Sequence, residues 1–391
     1  MIPGLILLAL AYLLSQFFRA FLAVLTGPLQ SDLGIGPEVL ATASGYWFLA
    51  FAVMQLPVGK ALDTVGPRRT GGWLLLLGGA GGSALFAAAQ DPVHVHLAMA
   101  LIGVGCSPVL MASFYIFARQ FDPAKFATLA ALMIGVGTVG NLISSYPMAF
   151  AVDAMGWRNA MWALAALSAV TALGVLVTVR DPDQADAAGT GTLLDLLRIR
   201  ALWFIFPIMF VNYAPVAAVR GLWIGPYLRE VFDQSTQQIG IATLIMSLAM
   251  IVGTIAYGPM DRLFGTRKGV VLAGNAATVA ALVLVILWID GSPWRSVALF
   301  AAIGALGASF PVIIAHARSF FPAHLTGRGV TLMNLFGIGG VGVMQTLSGG
   351  IYRMTETGTD TTSPYVAIFG FFTVALALGV LIYSRSRDSV A

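Results

Sequence analysis

The chain has 391 residues, 58% of them hydrophobic and only 10% charged, with a net formal charge of +4 and a mean hydropathy of +0.88. A soluble globular domain is about 25% charged, so this composition excludes one and points to an integral membrane protein. Its long continuous apolar runs exclude a β-barrel, whose strands alternate. Its one cysteine, Cys106, excludes an intrachain disulfide.

A helix needs roughly 20 apolar residues to cross a bilayer. In chain order, twelve runs qualify: 4–28, 39–60, 70–90, 94–118, 127–152, 159–179, 201–227, 238–260, 269–289, 294–320, 329–351 and 363–384. The first, opening MIPGLILLALAYLL, has neither a basic leader nor a small-residue cleavage pattern, so it reads as a retained span. After the sixth comes RDPDQADAAGTGTLLDLLRIR, Arg180 to Arg200, with seven charges. It reads as a linker. The expected fold is therefore all-α, with an N-terminal six-helix bundle at 1–180, a linker at 181–200 and a C-terminal six-helix bundle at 201–391.

Lys and Arg set orientation. With the N-terminus inside, fifteen of the twenty-one fall in cytoplasmic loops and four (Arg158, Arg229, Arg295 and Arg353) in the opposite loops. Two, Arg19 and Arg220, lie within spans. This split predicts both termini on the cytoplasmic face of a bacterial-type inner (plasma) membrane.

The two halves repeat. GKALDTVGPRR, Gly59 to Arg69, follows the second span, and GPMDRLFGTRK, Gly258 to Lys268, follows the eighth. ARQFDPAK (Ala118 to Lys125) after the fourth is echoed by ARSFFPAH (Ala317 to His324) after the tenth. Arg19 and Arg220 are 201 residues apart, in the first helix of each half. Internal repeats with the site at their interface are the usual build of a secondary transporter.

On these loops the chain resembles the major facilitator superfamily, whose signature matches Gly59, Asp63, Gly66, Arg68 and Arg69. The second copy, with Asp261 and Arg267, is degenerate. The resemblance implies two pseudo-symmetric six-helix bundles and a cytoplasmic gate at Asp63, Arg68, Arg69, Asp261 and Arg267. In it, Asp63 caps a neighbouring helix end and pairs with an arginine across the halves. Drug exporters of the superfamily carry an arginine in helix four and a Gly-Pro motif in helix five. AMALIGVGCSP (Ala98 to Pro108) and IGVGTVGNLISSYP (Ile134 to Pro147) have neither. That weakens a proton-coupled drug or metabolite exporter and favours uptake.

A charge at the bilayer centre costs about 2.5–3.5 kcal/mol on insertion scales. All seventeen carboxylates fall in loops or at span ends, so neither Arg19 nor Arg220 has an evident internal counter-charge. Guanidinium suits carboxylate or phosphate, and an anionic solute bound between the two bundles is the expected counter-ion. Gln16, Tyr213, Asn141 and Gln345 are further candidate substrate contacts, with Asn141 and Gln345 roughly equivalent across the repeat. His316 is the titratable candidate for carrying a coupling proton.

MSLAM in helix eight puts Met246 and Met250 on one helix face, and thioethers favour Cu(I). The chain is similar in this motif to the CcoA-like copper-uptake branch of the superfamily, relatives of which carry riboflavin. It lacks that branch's His-x-x-x-Met motif: helix nine reads LAGNAATVAAL. A chance Met pair that packs between helices is the alternative.

There is no HExxH motif, paired intramembrane carboxylate or phosphate loop, so an enzyme is not expected. The expectation is an alternating-access transporter, symporter or antiporter, of a small solute. Its partners are the lipid bilayer and a coupling proton or ion. No cofactor, no nucleic acid and a monomer are expected.

Overall fold

The computed structural model describes residues 2–182, 193–322, 325–358 and 360–388. Positions 183–192 of the expected linker, and His324 of the ARSFFPAH stretch, lie outside the described residues. Every regular element among the described residues is a helix.

Among the described residues, ten helices are long and apolar enough to cross a membrane: Pro37–Thr64, Pro67–Ala87, Pro92–Gln120, Trp157–Thr178, Arg200–Phe232, Thr236–Phe264, Arg267–Leu287, Pro293–Arg318, Thr326–Thr355 and Ser363–Tyr383. Two further spans are bent pairs, Pro3–Phe17 with Leu22–Leu33 and Thr128–Ile143 with Tyr146–Met155. In chain order these are the twelve expected spans, and the chain is an integral membrane protein. Large apolar side chains such as Val53 (66%), Ile255 (70%) and Val170 (65%) stay exposed in mid-helix, which suits lipid and not water.

The chain folds as two compact units, Met1–Ala188 with the first six spans and Gly189–Ala391 with the last six. Each has the same internal pairing. In the first unit the first span packs on the fifth, the second on the fourth and the third on the sixth. In the second unit the seventh packs on the eleventh, the eighth on the tenth and the ninth on the twelfth.

Small residues set these crossings, as lipid-embedded helices require. Gly140 lies against the Leu13 carbonyl, and Gly340 against the Phe210 carbonyl. In the other pairing, Gly103 lies against the backbone of Trp47 and Gly304 against that of Met246. A side chain at these glycines would press on its neighbour's backbone. The pairs fix the repeat near 200 residues, so Asn141 matches Val341 and Gln345 matches Ser145. The rough equivalence expected for Asn141 and Gln345 is therefore corrected by about one helical turn.

The irregular stretches have identifiable settings. The fifth span bends by 45° at Ser144 and Ser145, just before Pro147, which has no N–H to give the preceding turn. The first bends by 58° across residues 18–21, where Arg19 N–H reaches the Gln16 carbonyl (3.4 Å) and Ala20 N–H the Phe17 carbonyl (3.1 Å). Phe17, Phe18 and Phe21 pack there with ring centroids 5.6–5.8 Å apart. The seventh span widens into a π turn at Val219–Trp223, four residues after Pro215. Gly66, in the turn between the second and third spans, takes φ 94° and ψ 156°, a conformation that L side chains rarely enter.

Candidate functional site

The two intramembrane arginines both sit where helical hydrogen bonding is interrupted: Arg19 in the bend of the first span, Arg220 in the π turn of the seventh. Broken helices and π turns are frequent at functional positions, because they free backbone groups and re-aim side chains.

In the first unit, the half-buried Arg19 guanidinium lies 5.4 Å from the Trp47 ring centroid and 5.0 Å from that of Phe51, within cation–π range. None of the ion pairs among the described residues involves it. Arg19 Nε and the Trp47 indole N–H are both buried without a hydrogen-bond partner among the described residues. An unsatisfied buried donor costs about 1–3 kcal/mol, so this pocket has donors to offer and lacks acceptors. One turn earlier, Gln16 Nε2 donates to the Tyr12 hydroxyl (3.2 Å). Gln55 Nε2 ties the second span to the Ser107 carbonyl of the fourth (3.4 Å). Asn141 is buried, and its backbone carbonyl accepts from the Ser144 and Ser145 hydroxyls.

In the second unit, Arg220 is 1% exposed. Three residues on, the Trp223 indole donates to Ser348 Oγ (2.9 Å), and Ser348 donates to the Gln345 carbonyl (2.7 Å). The Gln345 side chain is fully buried, and neither amide atom has a hydrogen-bond partner among the described residues. Tyr213 is half-buried and tilted against Phe310 at 6.1 Å. Its neighbour Asn212 is locked with Asn275 (2.7 Å) and Ser309 (3.0 Å). Three spans meet at that buried polar knot, which accounts for two of the asparagines in this half.

The loop residues form contacts inside each unit. Asp63 faces Arg119 at 3.8 Å, with the Arg119 guanidinium over the Tyr115 ring. The helix end that Asp63 was expected to cap is capped by Asp181, whose Oδ1 accepts from Arg68 N–H at 2.7 Å. Asp261 pairs with Arg267 at 3.3 Å. At the matching helix start, Asp388 accepts from Lys268 N–H (3.1 Å) and the Thr266 hydroxyl (2.5 Å). So Asp63 pairs within its own half in this structure. Capping draws instead on an aspartate just past the last helix of each half, joined in the second half by Thr266 Oγ1, which accepts from Gly269 N–H. Arg68 and Arg69 are exposed. The sequence signal for the caps was present: an Arg–Asp pair, Arg180–Asp181 and Arg387–Asp388, ends both halves.

His316 is fully buried in the last turn of the tenth span. Its Nδ1 meets the Tyr383 hydroxyl at 2.6 Å and its Nε2 the Arg387 carbonyl at 2.9 Å. Both ring nitrogens are thus used in tying the tenth span to the chain after the twelfth. Met246 is buried and, with Met250, packs against Gly304 of the tenth span. That is a helix–helix contact of the kind in which methionine fills gaps.

One carboxylate at a span end has partners that the sequence does not announce. The seventh span runs to Phe232, five residues past the expected limit, and carries Glu230 with it. Glu230 Oε2 accepts from the Tyr352 hydroxyl at 2.8 Å and the Tyr365 hydroxyl at 2.5 Å. Placed in a loop by its distance from the apolar run, it is enclosed by two other spans in the fold.

A family model described as Major Facilitator Superfamily matches residues 8–219 and 205–390. A probable L-galactonate transporter of Escherichia coli (strain K12) is 22% identical over 280 residues, 65% of this chain and 60% of that protein. The chain spans about three-fifths of the length of the curated relatives it matches. Among solved structures, a D-xylose-proton symporter superposes with a TM-score of 0.78 at 13% identity, covering 98% of this chain and 97% of that one. The nucleoside transporter NupG superposes with a TM-score of 0.76 at 17% identity, covering 98% and 99%. At such identities the likeness is one of fold.

Proposed function

The chain belongs to the Major Facilitator Superfamily, and on that premise we propose that it is a secondary active transporter of a small organic anion, working by alternating access. The substrate class we favour is a hydroxylated carboxylate, of the kind named for the Escherichia coli relative. Arg19 supplies its counter-charge in this proposal, and Arg220 is a further proposed contact.

The observation that carries this reading is Arg19. It holds a permanent cation at the bend of a span, stacked on Trp47 and Phe51, with a buried Nε that lacks an acceptor. Guanidinium presents parallel N–H groups to a carboxylate, and such charge-assisted pairs are the strong ones. Gln345 adds a buried donor and a buried acceptor together, which is what a hydroxyl can answer from both sides. Gln16, Tyr213 and Asn141 complete the proposed contacts. The proposal includes uptake across an inner (plasma) membrane with both termini cytoplasmic, and gating by Asp63, Arg68, Arg69, Asp261 and Arg267.

The test is uptake of radiolabelled L-galactonate, other sugar acids and their neutral parent sugars into proteoliposomes. Arg19→Ala and Arg220→Ala should each abolish uptake of the acids. Wild-type rates in both variants, or preference for the neutral sugars, would refute the anion assignment.

A further inference from the structure

Glu230 has a built environment that the reading above leaves unused. It lies half-buried two residues before the end of the seventh span, and one of its oxygens takes two hydroxyl donors. The donors come from different spans: Tyr352 from the eleventh, 3% exposed, and Tyr365 from the twelfth, 0% exposed. Aromatic rings close the site. Trp223 stacks on Tyr352 at 5.6 Å and meets the edge of Tyr365 at 6.5 Å. Tyr227 packs on Tyr365 at 5.3 Å and donates to the Ile289 carbonyl.

Other charged groups lie on the surrounding elements. Arg229, beside Glu230, donates to Thr236 (3.2 Å). Arg353 and Glu356 are at the end of the eleventh span, and Asp290 follows the ninth. Asp233 caps the end of the seventh span. Both tyrosine hydroxyls donate directly to the Glu230 carboxylate.

This arrangement is suited to bind and release a proton. The carboxylate is stabilised by charge-assisted bonds, which are roughly twice as strong as neutral ones. Protonation neutralises the acceptor and weakens both tyrosine bonds at once. Tyr352 is stacked on Trp223, which closes the π turn that carries Arg220. A change at Glu230 therefore bears, through one aromatic contact, on the turn that positions the proposed anion-binding arginine.

We propose that Glu230, held by Tyr352 and Tyr365, is the proton-binding group that couples transport to a proton gradient. The coupling role rests on the transporter reading; the proton-binding role does not. His316, whose two ring nitrogens already tie helix ends together, is then a structural residue.

The experiment is pH-difference infrared spectroscopy of the purified protein in nanodiscs. A protonated-carboxyl band should appear on acidification in the wild type and be missing in Glu230→Gln. Tyr352→Phe and Tyr365→Phe should each raise the midpoint of that band by about one pH unit or more, because each removes a donor from the charged form. The same band in Glu230→Gln, or unmoved midpoints in both Phe variants, would overturn the assignment. The Phe variants decide the matter if Glu230→Gln fails to fold. In proteoliposomes with L-galactonate, Glu230→Gln should retain exchange but lose accumulation driven by a pH gradient; retained accumulation would overturn the coupling role. If the wild type moves no sugar acid, the transporter reading fails while the infrared result still judges Glu230.

Discussion

Replacing Arg19 by lysine separates charge from geometry. Lysine keeps the cation and much of its attraction to Trp47 and Phe51, whose ring centroids are 5.4 and 5.0 Å from the guanidinium carbon. It loses the planar fork, including the buried Nε that has no partner among the described residues. A carboxylate bound through two parallel N–H groups would keep one. A hydrogen bond to a charged group contributes about 1.5–3 kcal/mol, so Arg19→Lys should weaken L-galactonate binding roughly 10- to 150-fold. L-Galactose, which offers no charge, should weaken by roughly tenfold or less, since a neutral bond contributes about 0.5–1.5 kcal/mol. Isothermal titration calorimetry of both ligands against both proteins reads this difference directly. Unchanged galactonate affinity, or equal losses for the two ligands, would refute the argument that Arg19 recognises a carboxylate by its fork.

Three further outcomes follow from the same structure. Gln345→Leu removes two buried polar atoms without partners, so it should raise the thermal unfolding midpoint of the unliganded protein while weakening sugar-acid binding; a lowered midpoint would contradict the orphaned-amide reading. Gly340→Val places a side chain on the Phe210 carbonyl and should destabilise the seventh–eleventh pairing by about 1–3 kcal/mol, measured by unfolding in denaturing detergent, with Gly350→Ala, whose Cβ would meet open space, as the neutral control. Asp181→Ala removes the acceptor for Arg68 N–H and should cost about 0.5–2 kcal/mol, seen as faster hydrogen exchange confined to the first turn of the third span. Uniform or absent acceleration would mean that the cap carries no local stability.

The membrane class, the twelve spans and the repeat were legible in the chain because each rests on local, additive signals. Apolar length fixes a span, and Lys and Arg counts in the loops check the number of spans. Arg19 and Arg220 could be singled out in the same way, since a guanidinium in an apolar run is costly wherever the fold puts it. The Gly59–Arg69 signature carried the superfamily resemblance, and Gly66 explains part of it: the turn needs a backbone that only glycine enters readily.

What the sequence left open depends on which distant groups meet. The bend at Arg19 has no proline or glycine to announce it. Glu230 read as a loop residue until the seventh span proved to run five residues further, between Tyr352 and Tyr365 from positions more than a hundred residues away. Met246 and Met250 read as packing residues or as soft-metal ligands, and that they lie beside Gly304 of another span is legible only in the fold. Asp63 was expected to cap, yet the cap came from Asp181. By itself, then, the sequence determined the solvent this protein folds in, its number of spans, its duplication and its two misplaced cations. The tertiary structure alone decided which buried polar groups find partners and which, like Arg19 Nε and the Gln345 amide, are left to seek one. Burial is a sum over neighbours along the chain, whereas satisfaction of a hydrogen bond requires one particular atom from another span.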